Sequence, residues 1–509
     1  MKFTSQLIQK AERHVNRLQR SGFEALRKGN SRKWLKVQKL LLKSYYARVL
    51  ALYRVTKVNK GRKTKGIDGI RINPKSTRQM RFILRKIKRI VTSREKWEHK
   101  PVKRVEIPKP DGRKRPLGIP TQFDRVMQAI VNNILFVIQE YQIVSNELKS
   151  FGFRKGFKTA DAIKALVPYA WLGKTARIIE ADIEKCFDRI DHNAILNILK
   201  SYECTQDVAE MVKGCLQAQI LFGDVFIESE RGTPQGGILS PTIANITLRE
   251  TLDKKFPEAI RKIKAKEGCQ LITYADDLII MQNAWGNPKK LPQILKVVEE
   301  LIQEIGLNLK QEKTRIINDE PFEFLGYEIQ RGKGIRLKSD IIKRTRQKLK
   351  QSLQRGRRMD RVLKEINPIL RGIYNYAGYF SSGKMWKQCS ELYFNTTKRF
   401  YKVHGEYGND KIVKFTDVNK TVNYIPPQRP TTLQDIGYWN ARNLKGFPDR
   451  KRTLWRKQKG ICPICNRKLG YEPSMLQTHH ITLKSKGGKD KNSNVILIHK
   501  ECHEALHNL

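Results

Sequence analysis

The chain has 509 residues, enough for three or four domains of ordinary size. Its 101 Lys plus Arg against 49 Asp plus Glu leave a formal charge of +52 at pH 7, whose self-repulsion points to a polyanion as habitual partner, nucleic acid first. A membrane partner is disfavoured, because no apolar run reaches 18 residues and the opening MKFTSQLIQKAERHVNRLQR lacks the apolar core of a signal peptide.

Residues 1–58 alternate apolar and basic positions at helical spacing (Leu35, Val37, Leu40, Leu41, then Tyr45 and Tyr46), with no carboxylate between Glu24 and Asp68, and predict a basic helical extension. A turn-rich stretch follows, then a basic helix. Next comes a hairpin whose arms, 104–108 and 115–120, flank the turn Pro110-Asp111-Gly112. From there to about 330, apolar strands alternate with helical segments, as in a mixed α/β core. Residues 331–370 hold 14 Lys or Arg against 3 acidic residues at helical spacing (Ile341, Ile342, Leu349, Leu353, Val362, Leu363, Ile366), so one face packs while the others meet phosphate. Residues 411–450, with Tyr424-Ile425-Pro426-Pro427, read as a linker or small irregular module. The last sixty residues hold five of the nine His and three of the eight Cys; the other five Cys (Cys186, Cys204, Cys215, Cys269, Cys389) stand singly as reduced core residues of a cytosolic protein.

Two stretches carry chemistry. In the first, LITYADDLII (271–280), two β-branched or aliphatic flanks read as strands, so Asp276 and Asp277 belong to a hairpin turn where both can point one way. Two such charges ~4 Å apart at an effective dielectric near 20 repel by about 4 kcal/mol. A cation must offset that, or one carboxyl must protonate. Asp182 ends another predicted strand, 178–183, with a helix expected from about Glu184. If the two strands are neighbours, three carboxylates converge into a set of hard oxygen ligands suited to Mg²⁺.

In the second, Cys462-Pro463-Ile464-Cys465 and His499-x-x-Cys502 have structural-zinc spacing and predict Cys₃His ligation of Zn²⁺. Between and after these halves lie His479-His480, Gly487-Gly488, Asn494, His503 and His507. His499, His503 and His507 are expected to share a helical face, which leaves open which of them serves the zinc.

The order of segments resembles a reverse transcriptase of the group II intron type: 59–69 (NKGRKTKGIDG), 107–128 (IPKPDGRKRPLGIPTQFDRVMQ), 151–163 (FGFRKGFKTADAI), 179–192 (IEADIEKCFDRIDH), 231–245 (RGTPQGGILSPTIAN), the YADD hairpin, 306–314 (GLNLKQEKT) and 322–327 (FEFLGY). The tail resembles an HNH nuclease. These resemblances imply an α+β multidomain fold: a right-hand polymerase with fingers and palm (59–330) behind the 1–58 extension, an α-helical thumb or maturase domain (331–410), a DNA-binding region (411–450) and a small zinc-containing ββα HNH domain (451–509).

By resemblance, Asp182, Asp276 and Asp277 would bind the catalytic Mg²⁺, and Tyr274 would lie near the primer end. Lys109 and Arg115, on opposite arms of the finger hairpin, would meet the triphosphate of a dNTP. Phe187 would pack under the sugar, Gln235 would line the nucleotide pocket, and Lys313 would protonate departing pyrophosphate. His480 would be the nuclease general base, with Asn494 bracing its loop, while His479 and His503, with His507, would hold a divalent ion. The implied function is a multifunctional protein that copies RNA into DNA, assists splicing of its intron RNA and nicks target DNA to prime the copying. Its implied partners are intron RNA, target DNA and dNTPs in the bacterial cytoplasm, associated with the nucleoid as a ribonucleoprotein. The alternatives are a splicing factor without polymerase activity, opposed by the intact three Asp, and a reverse transcriptase of another retroelement, opposed by the HNH tail.

Overall fold

The computed structural model describes residues 3–108, 112, 114–145, 149–154, 157–170, 175–265, 269–283, 286–318, 320–354, 356–377, 383–405, 411–414, 444, 447–483 and 487–507. The chain opens with helices Ser5–Arg27, Ser31–Lys43 and Tyr45–Tyr53, and Thr4, Asn30 and Ser44 each accept a backbone N–H of the first turn they cap. Trp34, Val37, Leu41 and Leu42 are buried, whereas Leu35, Leu40 and Tyr45 are exposed. The expected apolar face is therefore corrected: within Ser31–Lys43 the buried stripe runs through Trp34, Val37, Gln38, Leu41 and Leu42 at i, i+3, i+4, i+7 and i+8, and Leu35 and Leu40 lie off it.

These helices join one core with the helix Gln122–Ser145, and Trp34 donates its indole N–H to the Tyr202 carbonyl (2.8 Å). The basic helix Thr77–Val91 turns Met80, Ile83, Leu84 and Ile87 into that core at i, i+3, i+4 and i+7.

Thirteen described strands form four sheets. The finger hairpin, β1 (Val102–Pro108) and β2 (Lys114–Ile119), pairs Ile107 with Arg115. β3 (Thr175–Asp182) lies in a different sheet. The short strands β4 (Ile220–Phe222) and β5 (Val225–Ile227) extend the hairpin into the order β2-β1-β4-β5. The central sheet, β6-β7-β3-β8, comprises β3, β6 (Cys269–Tyr274), β7 (Asp277–Asn283) and β8 (Arg315–Ile317), all antiparallel neighbours.

A three-stranded sheet of β9 (Phe322–Phe324), β10 (Tyr327–Gln330) and β11 (Gly334–Leu337) leads into helices Ser339–Ser352, Met359–Ala377 and Gly383–His404, which share a second core. Of the expected stripe, Leu349, Leu353, Val362 and Ile366 are buried, and Ile341, Ile342 and Leu363 are partly buried against the same core. Of the region 411–450, residues 415–443, 445 and 446 lie outside the described residues. The tail holds the helix Asp449–Lys457, the hairpin β12 (Leu476–His480) with β13 (Val495–His499), and the helix Lys500–His507 around a third small core. Among the described residues no helix is long and apolar enough to cross a membrane.

Candidate functional site

In the central sheet Asp182 is the direct partner of Asp277 across β3 and β7, and Tyr274 pairs with Asp277 across β6 and β7. That leaves Ala275 and Asp276 as the turn, with Ala275 held at φ +60°, a left-handed conformation uncommon for a side-chain-bearing residue. The turn is clamped from two sides. Ile183 donates its N–H to the Asp276 carbonyl (3.1 Å), while the Gly152 backbone approaches so closely that a Cβ there would stand 2.3 Å from the Ala275 nitrogen. Asn245 holds that glycine in place by donating to its carbonyl (2.8 Å). The helix expected from about Glu184 begins instead at Cys186, because Lys185 takes φ +45° and interrupts the chain after the strand.

Burial, then the neighbouring Asp276 and Asp182, pushes the Asp277 carboxyl up to about 7. Burial likewise raises Asp276, helped by Asp182 and opposed by Arg115 and Lys313. Lys313, on the short turn Gln311–Lys313, donates from its ammonium to Asp182, and that bond keeps the lysine above its ordinary range. The donor set is all carboxylate oxygen with too little positive charge to balance it, which fits a hard divalent cation.

The three aspartates open onto a cleft of about 900 Å³, lined also by Arg104, Arg115, Phe187, Gln235 and Lys310. Phe187 is 8% exposed and meets the Phe153 ring edge-on at 5.6 Å. Gln235 accepts from Arg115 Nε (3.2 Å) and donates to both oxygens of Asp188 (3.0 Å each). Lys109 lies outside the described residues. Asp188 and Gly152 were not singled out in the sequence. Asp188 adjoins Phe187 in FDRIDH, and Gly152 sits between two Phe in FGF.

In the tail, one ligand atom each from Cys462, Cys465, His499 and Cys502 lies within 4.8 Å of all the others. His499 Nδ1 faces Cys465 Sγ (3.2 Å) and Cys502 Sγ (3.8 Å), so soft thiolates and one imidazole converge in a set that fits Zn²⁺. His499 does not share the helical face of His503 and His507: it is the last residue of β13, and the helix starts at Lys500. It pairs with Leu476 across β12 and β13, and its Nδ1 meets the cysteines.

His479 and His503 form a separate pair. The rings of His479 and His503 stand edge-to-face at 5.4 Å, and His507 is the last described residue of the helix. His480, one strand position on and so facing the other way, bonds through Nε2 to Asp490 Oδ1 (2.9 Å). Asn494 clasps the intervening loop: its Oδ1 accepts from Thr482 N–H (2.8 Å), and its Nδ2 donates to the carbonyls of Thr482 (2.9 Å) and Lys489 (3.0 Å). Asp490, another residue not singled out, is also within reach of Arg450 and Arg371.

Comparison with known families agrees with this geometry. A model of the reverse transcriptase (RNA-dependent DNA polymerase) domain matches residues 107–329, one of the N-terminal domain of reverse transcriptase matches 7–84, and one of HNH endonucleases matches 462–509. The matches thus give the chain a reverse-transcriptase-type domain followed by an HNH-type domain. Within that class the chain is similar to group II intron-encoded proteins. It is 29% identical over 367 residues to the group II intron-encoded protein LtrA of Lactococcus lactis subsp. cremoris, covering 59% of this chain and 57% of LtrA. It is also 27% identical over 281 residues to a putative COX1/OXI3 intron 1 protein of Saccharomyces cerevisiae, covering 46% of this chain and 33% of the relative. The chain thus spans little more than half the length of LtrA. Among solved structures it resembles apo telomerase from Candida tropicalis at TM-score 0.41 and 16% identity over 68% of this chain and 70% of that one, too distant to bear on function.

Proposed function

We propose that the protein is an RNA-directed DNA polymerase that also assists splicing of a group II intron RNA and nicks DNA to prime its own copying. The polymerase reading rests on one observation: strand register sets Asp182 opposite Asp277, with Asp276 at the adjoining turn, over a cleft rimmed by basic side chains.

On this reading the 3′-hydroxyl of a primer attacks the α-phosphorus of a dNTP, and pyrophosphate leaves. Asp182, Asp276 and Asp277 would hold Mg²⁺, which when bound would supply activation of that hydroxyl and stabilisation of the leaving group. The chain's own residues do the rest. Lys109 and Arg115 meet the triphosphate, Gln235 lines the pocket, and Phe187 packs beneath the sugar and excludes a 2′-hydroxyl. Tyr274 would sit by the primer end, and Lys313, whose ammonium bonds Asp182, would donate a proton to pyrophosphate.

In the tail, Cys462, Cys465, His499 and Cys502 hold a structural Zn²⁺. His480 takes a proton from water as that water attacks a DNA phosphodiester, and His479, His503 and His507 hold the divalent ion that the nuclease needs. The freed 3′-hydroxyl then primes polymerisation. The basic helices between 331 and 410 serve intron RNA, and the 411–450 region serves target DNA.

Primer extension on an RNA template with Mg²⁺ tests the polymerase: wild type extends, and Asp182→Asn loses at least about 10³-fold in rate, on the scale of removing a group that acts in the transition state. An Asp182→Asn chain that extends at the wild-type rate sinks the reading. Nicking of a DNA duplex, abolished by His480→Ala with zinc content intact, tests the nuclease separately.

A further inference from the structure

The contacts around Gln235 form a directional chain across the polymerase cleft. Its side-chain amide has one oxygen and one NH₂ group, which could in principle exchange places. Here they cannot do so without loss. A carboxylate only accepts and a guanidinium only donates, so with Asp188 on one side and Arg115 on the other the amide has one satisfied orientation. The NH₂ donates to both Asp188 oxygens (3.0 Å each), and the oxygen is left to receive Arg115 Nε (3.2 Å).

The backbone around this chain is pinned. Asp188 lies on the short helical turn Cys186–Arg189, its N–H bonded to the Lys185 carbonyl (2.8 Å), and Gly232 at φ +81° packs where a Cβ would stand 2.5 Å from the Asp188 carbonyl carbon. On the other side, the Gly118 N–H of the finger hairpin donates to the Gln235 carbonyl (2.6 Å), and Gly236 at φ +124° lets the two backbones meet. Main-chain bonds thus tie the hairpin to the loop that carries Gln235. Side-chain bonds set where Arg115 points.

We propose that Asp188 is a positioning residue of the nucleotide pocket: it fixes the amide of Gln235, which in turn aims Arg115 at the triphosphate. This rests on the polymerase reading above. On this proposal Asp188 acts through Gln235, whose amide it holds (3.0 Å to each carboxylate oxygen). It is adjacent to Phe187 on the same turn, so one short helix both closes the pocket beneath the sugar and orients the phosphate-binding cation.

The test is steady-state primer extension by the full-length chain on an RNA template, with dNTP concentration varied. Asp188→Asn frees the amide to flip and is expected to raise KM for dNTP roughly tenfold, with kcat within about threefold and preference for dNTP over rNTP unchanged. Gln235→Glu sets a second carboxylate against Asp188 and is expected to raise KM further. The double variant D188N/Q235E restores complementary partners, because an amide NH₂ can donate to the new carboxylate while that carboxylate still accepts from Arg115. Its KM is expected to return most of the way to wild type, a rescue that a merely structural role would not produce. The proposal is overturned if D188N keeps the wild-type KM, or if the double variant is no better than Gln235→Glu alone. Failure of the polymerase reading looks different: wild type does not extend, or Asp276→Asn extends as well as wild type.

Discussion

Asp276 and Asp277 are a stability cost that the fold bears for the sake of the cleft, and the cost depends on pH. The Asp277 carboxyl is raised from 3.8 to about 7, chiefly by burial. A folded-state value above the unfolded one means a contribution that is full below about pH 4 and is lost as pH rises through 7. At about 1.4 kcal/mol per unit the loss is of order 4 kcal/mol. In buffer depleted of divalent ions, wild type is expected to lose stability from pH 5 to pH 8, whereas Asp277→Asn loses much less and becomes the more stable of the two at pH 8. Urea midpoints at both pH values check this, and identical pH dependence in the two chains would refute it. The paired aspartates were legible in the sequence because two charges inside an apolar run are conspicuous. Asp188 was not, because its partner Gln235 is 47 residues away and only folding brings the two together.

The YADD hairpin was predictable as an element, since strand-forming flanks surround a polar turn, but its support was not. Gly152 is needed because the Ala275 backbone occupies the space a side chain would fill. Gly152→Ala is therefore expected to displace the turn, lowering primer-extension rate by at least about 10²-fold, as small misplacements of reacting groups do, while template-primer affinity stays within a few-fold. Pre-steady-state extension beside a binding titration separates the two, and an unimpaired rate would show that the contact is not needed. The same contrast holds elsewhere: helical periodicity found the buried positions Leu349, Leu353, Val362 and Ile366, yet it misassigned Leu40, which is 46% exposed, because the buried stripe of its helix runs through Trp34, Val37, Gln38, Leu41 and Leu42 and position 40 lies off it. His499 went astray for a similar reason, a helical count extended back over a residue that pairs in a strand.

At the scale of the molecule, the tail that carries the Cys/His cluster is seated on the first helix. Ser5 N–H donates to Glu501 (2.7 Å), Tyr471 N–H donates to Glu12 (3.0 Å), Tyr53 bonds Ser474 (2.8 Å), and Gln9 contacts His499 Nε2 (2.6 Å), the ring nitrogen turned away from the cysteines. Metal ligation and the seat therefore share a residue. Stripping zinc with a chelator and returning Mg²⁺ is expected to abolish nicking, keep primer extension within several-fold, and speed trypsin cleavage within residues 5–27 about tenfold. Timed digestion followed by mass spectrometry reads this out. Unchanged cleavage would mean that the first helix holds without the tail.

What the chain's order of residues settled unaided was chemistry that lies close in sequence: the acidic pair, the Cys-x-x-Cys and His-x-x-Cys halves, the histidine doublet, the basic helices and the succession of segments. These are fixed by covalent spacing, and covalent spacing survives in any fold. Which aspartate faces which, which histidine joins the cysteines, what orients Gln235 and where the nuclease rests all required the folded chain. They depend on strand register and on backbones packed against one another across tens to hundreds of residues, and no local pattern encodes a contact whose two halves are set by separate parts of the core.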